Sequence, residues 1–276
     1  MKNPTQNMFV DEISTDDELV ETPKLKSSRT KKVESETEVP KPANVLDLPS
    51  KGKFGYPSYV QYRDLLARDE EILASATAET YSRTLNGVLK SALMDCEFYE
   101  KLSIHDRDFI LIWMWANNYT SKKTIEVKCP KGVEKVEVDL TKLDITDPAE
   151  NFTGAFTLPL KSGNTVTVRL NTVGDEIAAE AYMAKSEQYR YEYLMMVQSI
   201  DVGVPMLLET KLKWIGDNIT AKEMAIIKQF HVKFAYGVKT RLSHKCSCGE
   251  VAQFDLPFSV EDVLNPTVQF DFEEYV

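Results

Sequence analysis

The chain has 276 residues, of which 43% are hydrophobic and 10% aromatic, so it is long enough for one large domain or two small ones. Its net charge of −10 repels phosphate backbones and argues against nucleic acid as the main partner. No apolar run is long enough to span a bilayer, and the first residues lack the apolar core of a secretory signal. Four cysteines without export do not form a disulfide framework, so we expect the protein in a reducing cytoplasm.

Residues 1–44 predict a disordered charged tail. Acidic residues cluster at Asp11–Glu21 and Glu34–Glu38, with a basic block at Lys24–Lys32 between them. Such a segment has too little apolar surface to offset the entropy lost on ordering. It is either a solvated tether or a docking segment for a partner, and the sequence leaves both open.

The first half of the ordered region predicts mainly helices. The turn-rich sequence LPSKGKFGYP leads into an extended segment at Tyr59–Tyr62. Residues 69–95 then predict one helix. Its apolar face repeats every three or four residues: Tyr81, Leu85, Val88, Leu89, Ala92 and Leu93. Ser103 and Asp106 form a capping pattern ahead of Phe109–Ala116, which is apolar on every side and is therefore predicted to be central to the core.

The second half alternates between hairpins and helices. Period-two patterns predict hairpins at about 122–141, at 156–170 around the turn KSGN, and at 238–258. A helix is predicted from Gly174, and another after the capping box Thr220–Glu223. The first of these helices is expected to bury one stripe: Ile177, Ala181, Ala184, Tyr191, Leu194 and Met195. The predicted fold class is α+β, a helical body with antiparallel β-hairpins.

Two hairpin tips carry cysteine close to glycine and predict a degenerate zinc-ribbon-like unit, since zinc ribbons place two ligands on each of two tips. The hairpins at about 122–141 and 238–258 would form this subdomain within a single domain of residues 45–276. The candidate ligands are three cysteines and a histidine: Cys129, His244, Cys246 and Cys248. The first tip reads C-P-K-G, with glycine where a complete knuckle has its second cysteine. Two interpretations stay open: one structural zinc ion, or two tips that pack together without metal.

No catalytic site is predicted. The sequence lacks G-x-S-x-G, the phosphate-binding G-x-x-x-x-G-K-[ST] and the metalloprotease H-E-x-x-H. His105 falls in a predicted helix cap and His231 beside an apolar face, so both are interpreted as structural. Cys96 is interpreted as a core residue. We therefore expect a protein that is not an enzyme and has no small-molecule substrate.

Four local sequences follow one another between Leu46 and Phe258: LDLPSKGKFGYP, SIHDRDFILIWMWANNYT, a C-P tip and a C-x-C-G tip. In this order they resemble the small baseplate-hub assembly proteins of T-even-like contractile-tailed bacteriophages. In that family a helical segment carries an acidic residue ahead of an aromatic-aliphatic run. The residues in those places here are Asp106, Asp108, Phe109 and Leu111. The family's paired C-x-x-C-type tips correspond to Cys129 and to Cys246 with Cys248, so the first tip lacks one cysteine. The charged tail before Leu46 is a second difference from the family.

The resemblance implies a virion assembly protein of the central baseplate hub, either a structural component or an assembly factor. It would act through contacts with other tail or hub proteins, the tape measure among them, in the host cytoplasm and then in the virion. The alternative is a zinc-ribbon nucleic-acid adaptor or phage transcription regulator. That alternative depends on basic residues that gather near the tips in the sequence: Lys128, Lys131, Lys135, Lys239, Arg241 and Lys245.

Overall fold

The computed structural model describes residues 44–77, 80–94 and 96–256. The strands there are β1 (Asn44–Asp47), β2 (Tyr59–Tyr62), β3 (Leu93–Met94), β4 (Lys122–Cys129), β5 (Gly132–Asp139), β6 (Ile145–Thr146), β7 (Ala155–Pro159), β8 (Thr165–Arg169), β9 (Ile200–Asp201), β10 (Gly237–Val238), β11 (Arg241–Lys245) and β12 (Val251–Asp255). The helices are α1 (Ala67–Ala74), α2 (Tyr81–Ala92), α3 (Ile104–Asn118), α4 (Val173–Met183), α5 (Tyr191–Ser199), α6 (Leu208–Asn218) and α7 (Ala221–Lys233). The predicted charged tail, apart from its last residue, lies outside the described residues.

The strands of the described residues form small antiparallel sheets. Their orders are β1-β2-β3, β4-β5, β7-β8-β9, β10-β6 and β11-β12. The pairing of β10 with β6 sets Gly237 opposite Thr146, and it returns the chain after α7 to the neighbourhood of the β4–β5 hairpin. β12 then lies against β4. The two predicted tip hairpins are therefore neighbours, and the α+β prediction is confirmed.

Helix α3 is central to one of the two buried apolar clusters found among the described residues, as its uniformly apolar sequence predicts. The Ser103 side chain caps the helix by accepting a hydrogen bond from the Asp106 N–H at 3.2 Å. Within the helix the buried apolar residues are Phe109, Ile110, Ile112, Met114, Trp115 and Ala116. Both the capping prediction and the core prediction for this helix are confirmed.

The Asp106 carboxylate also fixes the turn-rich segment that follows β1. It accepts hydrogen bonds from the Ser50 N–H at 3.1 Å and from the Tyr56 hydroxyl at 2.7 Å. The Tyr56 hydroxyl in turn accepts the Ser103 N–H at 3.2 Å. Burial raises the pKa of Asp106, because its hydrogen bonds only partly offset the loss of water around the charge. Asp106, in the first turn of α3, thus binds a loop more than fifty residues upstream.

The prediction of one helix over residues 69–95 is wrong. Helix α1 ends at Ala74 and α2 begins at Tyr81, and between the two helices the Thr77 N–H donates to Thr80 Oγ1 at 2.9 Å. Hydroxyl side chains that bind nearby backbone compete with helical hydrogen bonding, which explains the interruption. The predicted apolar face of α2 is buried where its side chains are described: Leu85, Val88, Leu89, Ala92 and Leu93.

The prediction that one buried apolar stripe runs from Ile177 to Met195 is also wrong in its first half. Ile177 is 37% exposed, and Ala184 is exposed beyond the end of α4. The face that α4 buries instead carries Val173, Glu176 and Ala179. A charged residue lies on this buried face because it has a specific partner on α3, and apolar periodicity alone does not register that partner. Leu194 and Met195 of the separate helix α5 are buried as predicted.

That partner is Arg107, and the pair joins α3 to α4. The guanidinium donates two hydrogen bonds to the Glu176 carboxylate, at 2.6 and 3.0 Å. Asn86 and Tyr191 donate two more to the same carboxylate, at 3.2 and 2.9 Å. Burial alone would raise the pKa of Glu176, but Arg107 holds it below its usual value. The second apolar cluster, built from β7, β8 and helices α4 to α7, lies beyond this pair.

Candidate metal centre

The first tip belongs to the β4–β5 hairpin, whose inner face follows from strand alternation. Ile125 and Val127 are buried, and Cys129 continues their face to the end of β4. The hairpin register sets Cys129 opposite Gly132 and Val127 opposite Glu134. Glu134 therefore shares the inner face with the cysteine, although it is an acidic residue.

The second tip belongs to the β11–β12 hairpin. The Cys246 N–H donates to the Glu250 carbonyl at 2.8 Å, and the Gly249 N–H donates to the Cys246 carbonyl at 2.9 Å. This tight turn requires a positive φ of 91° at Gly249, which glycine adopts without strain. Cys246 is buried, while Cys248 is half-buried. Three inner-face side chains of the hairpin pack against the first apolar cluster: Leu242, Ala252 and Phe254.

The two tips meet in space. The sulfur atoms of Cys129, Cys246 and Cys248 all lie within 4.8 Å of one another, and the Cys129 and Cys248 sulfurs are 3.9 Å apart. All three cysteines are free thiols. A second cluster with the same spacing joins the fourth predicted ligand, His244, to Glu134 and Cys246. Cys246 is common to both clusters, so all four predicted ligands lie in one small region.

Glu134 connects the tips and is the member of this region that the sequence reasoning did not identify. Its carboxylate accepts the Ser247 N–H at 2.9 Å and lies 3.0 Å from His244 Nε2. The hydrogen bonds from Ser247, followed by that from His244, lower the pKa of Glu134 to about 2. The signal was present in the sequence, because Glu134 is in phase with the inward-facing Val136 and Val138.

The thiols differ in how readily they ionise. The Lys131 N–H at the first tip lowers the pKa of Cys129, because a backbone donor stabilises the thiolate. Burial raises the pKa of Cys246 to about 11. Cys96, away from the tips, is buried as predicted, and burial raises its pKa to about 11 as well. Cys129 is therefore the most readily ionised of the thiols with a shifted pKa.

One serine–histidine pair also comes together. His231 Nε2 lies 2.9 Å from Ser199 Oγ. Ser199 is completely buried, and its hydroxyl donates to the Met196 carbonyl at 2.7 Å. A nucleophilic serine must reach a substrate carbonyl, which this burial prevents. The pair stabilises the contact between α5 and α7. His105 also has a packing role, since its ring lies against that of Tyr236.

The lysines near the tips do not form a continuous basic face. Lys128 and Lys135 share the exposed face of the β4–β5 hairpin with acidic residues, and Lys135 lies directly opposite Glu126. On the same face Glu137 pairs with Lys122 at 2.9 Å. Mixed charge of this kind does not attract a phosphate backbone as a basic patch would.

Taken together, these elements define an α+β protein in which cysteine, histidine and glutamate side chains that could hold a metal ion cluster between two hairpins. None of the helices within the described residues is both long and apolar enough to cross a bilayer. The family described as T4 bacteriophage base plate protein matches residues 41–265, and the chain belongs to this family. The match spans both tips and confirms the baseplate resemblance. The comparison with curated proteins gives no match, and neither does the comparison with solved structures.

Proposed function

We propose that this protein helps to build the central hub of the base plate, as a structural component or an assembly factor, through contacts with other tail proteins. The family match over residues 41–265 carries this proposal, because it includes all the described residues. In this proposal the body is a non-catalytic scaffold, and the partners are hub proteins and the tape measure of the same virus.

The segment between β9 and α6 supports a role in protein contacts. It reads V-G-V-P-M-L, and Val204 and Leu207 are 54% and 79% exposed. The Asp201 carboxylate accepts the Gly203 N–H at 2.8 Å, which holds the start of the segment in a turn. A partner that covers a large aliphatic side chain at a surface stabilises the complex, by roughly 1.5–3 kcal/mol for one fully buried leucine.

Leu207→Asp tests this surface without weakening the fold. Leu207 is the N-cap of α6 and makes no side-chain cap. Aspartate is a preferred N-cap residue, so the substitution stabilises the helix start while it removes the exposed apolar side chain. Thr210→Asp is the matched control, because it adds the same charge in the first turn of α6 and leaves Leu207 in place.

The experiment is co-expression of the full chain with each hub, base plate and tape-measure protein of the same virus, followed by affinity purification. We expect one or more of these partners to co-purify, and Leu207→Asp to reduce the recovered partner by about tenfold, a change of about 1.4 kcal/mol. Thr210→Asp should leave recovery unchanged. Purification of the chain alone in every combination would contradict the assembly role.

The nucleic-acid alternative receives no support from the surface of the tips. Its basic residues alternate with acidic ones on the β4–β5 hairpin, and Lys239 lies 3.8 Å from Asp144. We therefore propose a single function. A salt-dependent shift of labelled DNA by the purified chain would revive the alternative.

A further inference from the structure

We propose that the two hairpin tips bind one structural zinc ion through three thiolates and one imidazole: Cys129, Cys246, Cys248 and His244. This site is independent of the partner contacts proposed above, since it needs only the folded chain. It would join two hairpins whose cysteines are 119 residues apart in the sequence.

The spacing of the sulfur atoms fits tetrahedral zinc. With zinc–sulfur bonds of about 2.3 Å, two thiolates on a tetrahedron lie about 3.8 Å apart. The Cys129 and Cys248 sulfurs are 3.9 Å apart, and the Cys246 sulfur lies within 4.8 Å of both. A disulfide would require about 2.05 Å. The thiols are thus placed as ligands of a common ion and not as a bonded pair.

The histidine has the partner that metal-binding imidazoles usually have. A carboxylate only accepts hydrogen bonds, so the 3.0 Å contact between His244 Nε2 and Glu134 places the ring proton on Nε2. The other ring nitrogen then carries the free lone pair that a metal needs. At zinc sites a ligating imidazole usually donates its remaining ring N–H to a carboxylate or carbonyl oxygen, and Glu134 is placed to be that acceptor. Glu134 is therefore inferred to be a positioning residue.

The donor set selects the metal and its role. Three thiolates and an imidazole favour zinc over the hard cations, which prefer oxygen ligands. Four protein ligands close the coordination shell and leave no position for a substrate, so the ion would be structural. In this chain His244 supplies the ligand that the glycine of the C-P-K-G tip cannot.

The ion would stabilise the β11–β12 hairpin more than the rest of the molecule. A two-stranded hairpin is marginally stable by itself. This hairpin contacts the body through β4 and through partly buried side chains, whereas α2 and α3 are fully part of the apolar cluster. Removal of zinc should therefore expose backbone amides of β11 and β12 to exchange and leave those of α3 protected.

The test is native mass spectrometry of the full chain after loading with zinc and removal of the excess. We expect one zinc per wild-type chain and none in the Cys129→Ser, Cys248→Ser double variant. Both of these cysteines are half-buried, and Cys96→Ser is the control that keeps the tips intact and should retain one zinc. Glu134→Gln should also retain one zinc, with affinity about 10- to 100-fold lower in a chelator titration.

A second readout separates zinc loss from misfolding. Hydrogen exchange of the wild-type chain should show a chelator-dependent loss of protection in β11–β12 only, and in the double variant the chelator should have no effect. Three results would each overturn the proposal: no zinc on the loaded wild-type chain, stoichiometric zinc on the double variant, or a zinc-free chain whose mass is lower by two hydrogens because Cys129 and Cys248 form a disulfide.

Discussion

The ion pair between Arg107 and Glu176 provides a quantitative test of how α3 and α4 are held together. Glu176→Ala removes a carboxylate that accepts four hydrogen bonds, two of them from Arg107. The guanidinium that remains has only 9% of its side chain exposed, with Asp108 and Asn86 as its remaining partners. Removing one member of a buried ion pair typically costs roughly 3–5 kcal/mol, and we expect a loss of that size in the free energy of unfolding.

Urea unfolding at neutral pH measures this loss, with Glu187→Ala as control. Glu187 is exposed in the loop after α4, so its removal should change the unfolding free energy by no more than about 0.5 kcal/mol. Replacing both Arg107 and Glu176 with Met should cost much less than Glu176→Ala, because no unpaired charge remains buried. A loss below about 1 kcal/mol in Glu176→Ala would refute the reasoning.

Two further predictions concern pH and backbone strain. Burial lowers the pKa of His231 from 6.5 to about 4, so this ring contributes stability above pH 6.5 that is lost as the pH falls towards 4. Between pH 7 and pH 5, the free energy of unfolding measured with urea should therefore fall by about 1–2 kcal/mol less in His231→Gln than in the wild type. Equal decreases in the two proteins would count against this assignment. Gly154 and Gly163 both have positive φ, but only at Gly154 would a Cβ lie 2.8 Å from the Phe54 ring. Gly154→Ala should thus lower the unfolding free energy by about 1–3 kcal/mol more than Gly163→Ala, whereas equal effects would mean that the Phe54 contact is easily relieved.

Features set by neighbouring residues were predictable from the sequence. The caps at Ser103 and Thr220 were identified from local patterns, and the structure has both. The alternating pattern around Cys129 gave the β4–β5 hairpin, and the uniformly apolar run gave the core position of α3. In each case the physical cause acts within a few residues, so a single sequence carries the information.

Features set by distant partners were not predictable in this way. The buried face of α4 is fixed by the contact of Glu176 with Arg107, 69 residues away, and the apolar pattern pointed to a different face. The break between α1 and α2 was missed for a different reason: it depends on local hydroxyl hydrogen bonds between Thr77 and Thr80, which apolar periodicity does not register. Helix α6 was not anticipated at all.

The candidate metal centre lies between these two cases. Cysteine and glycine at the tips identified the three thiols, and the position of His244 two residues before Cys246 made it the fourth candidate. Glu134 was missed because acidic residues are common on exposed hairpin faces, and its inward phase becomes significant only when the second tip is seen beside it. The candidate ligands could be read from the sequence, whereas the contact of Glu134 with His244 could be identified only from the structure.

The proposed role in the base plate is tested most directly by quantitative mass spectrometry of hub and base plate intermediates purified from infected cells. We expect this chain at a fixed ratio to the hub proteins in at least one intermediate. Its absence from every intermediate and from the finished particle, in cells that express it, would contradict the role in hub assembly.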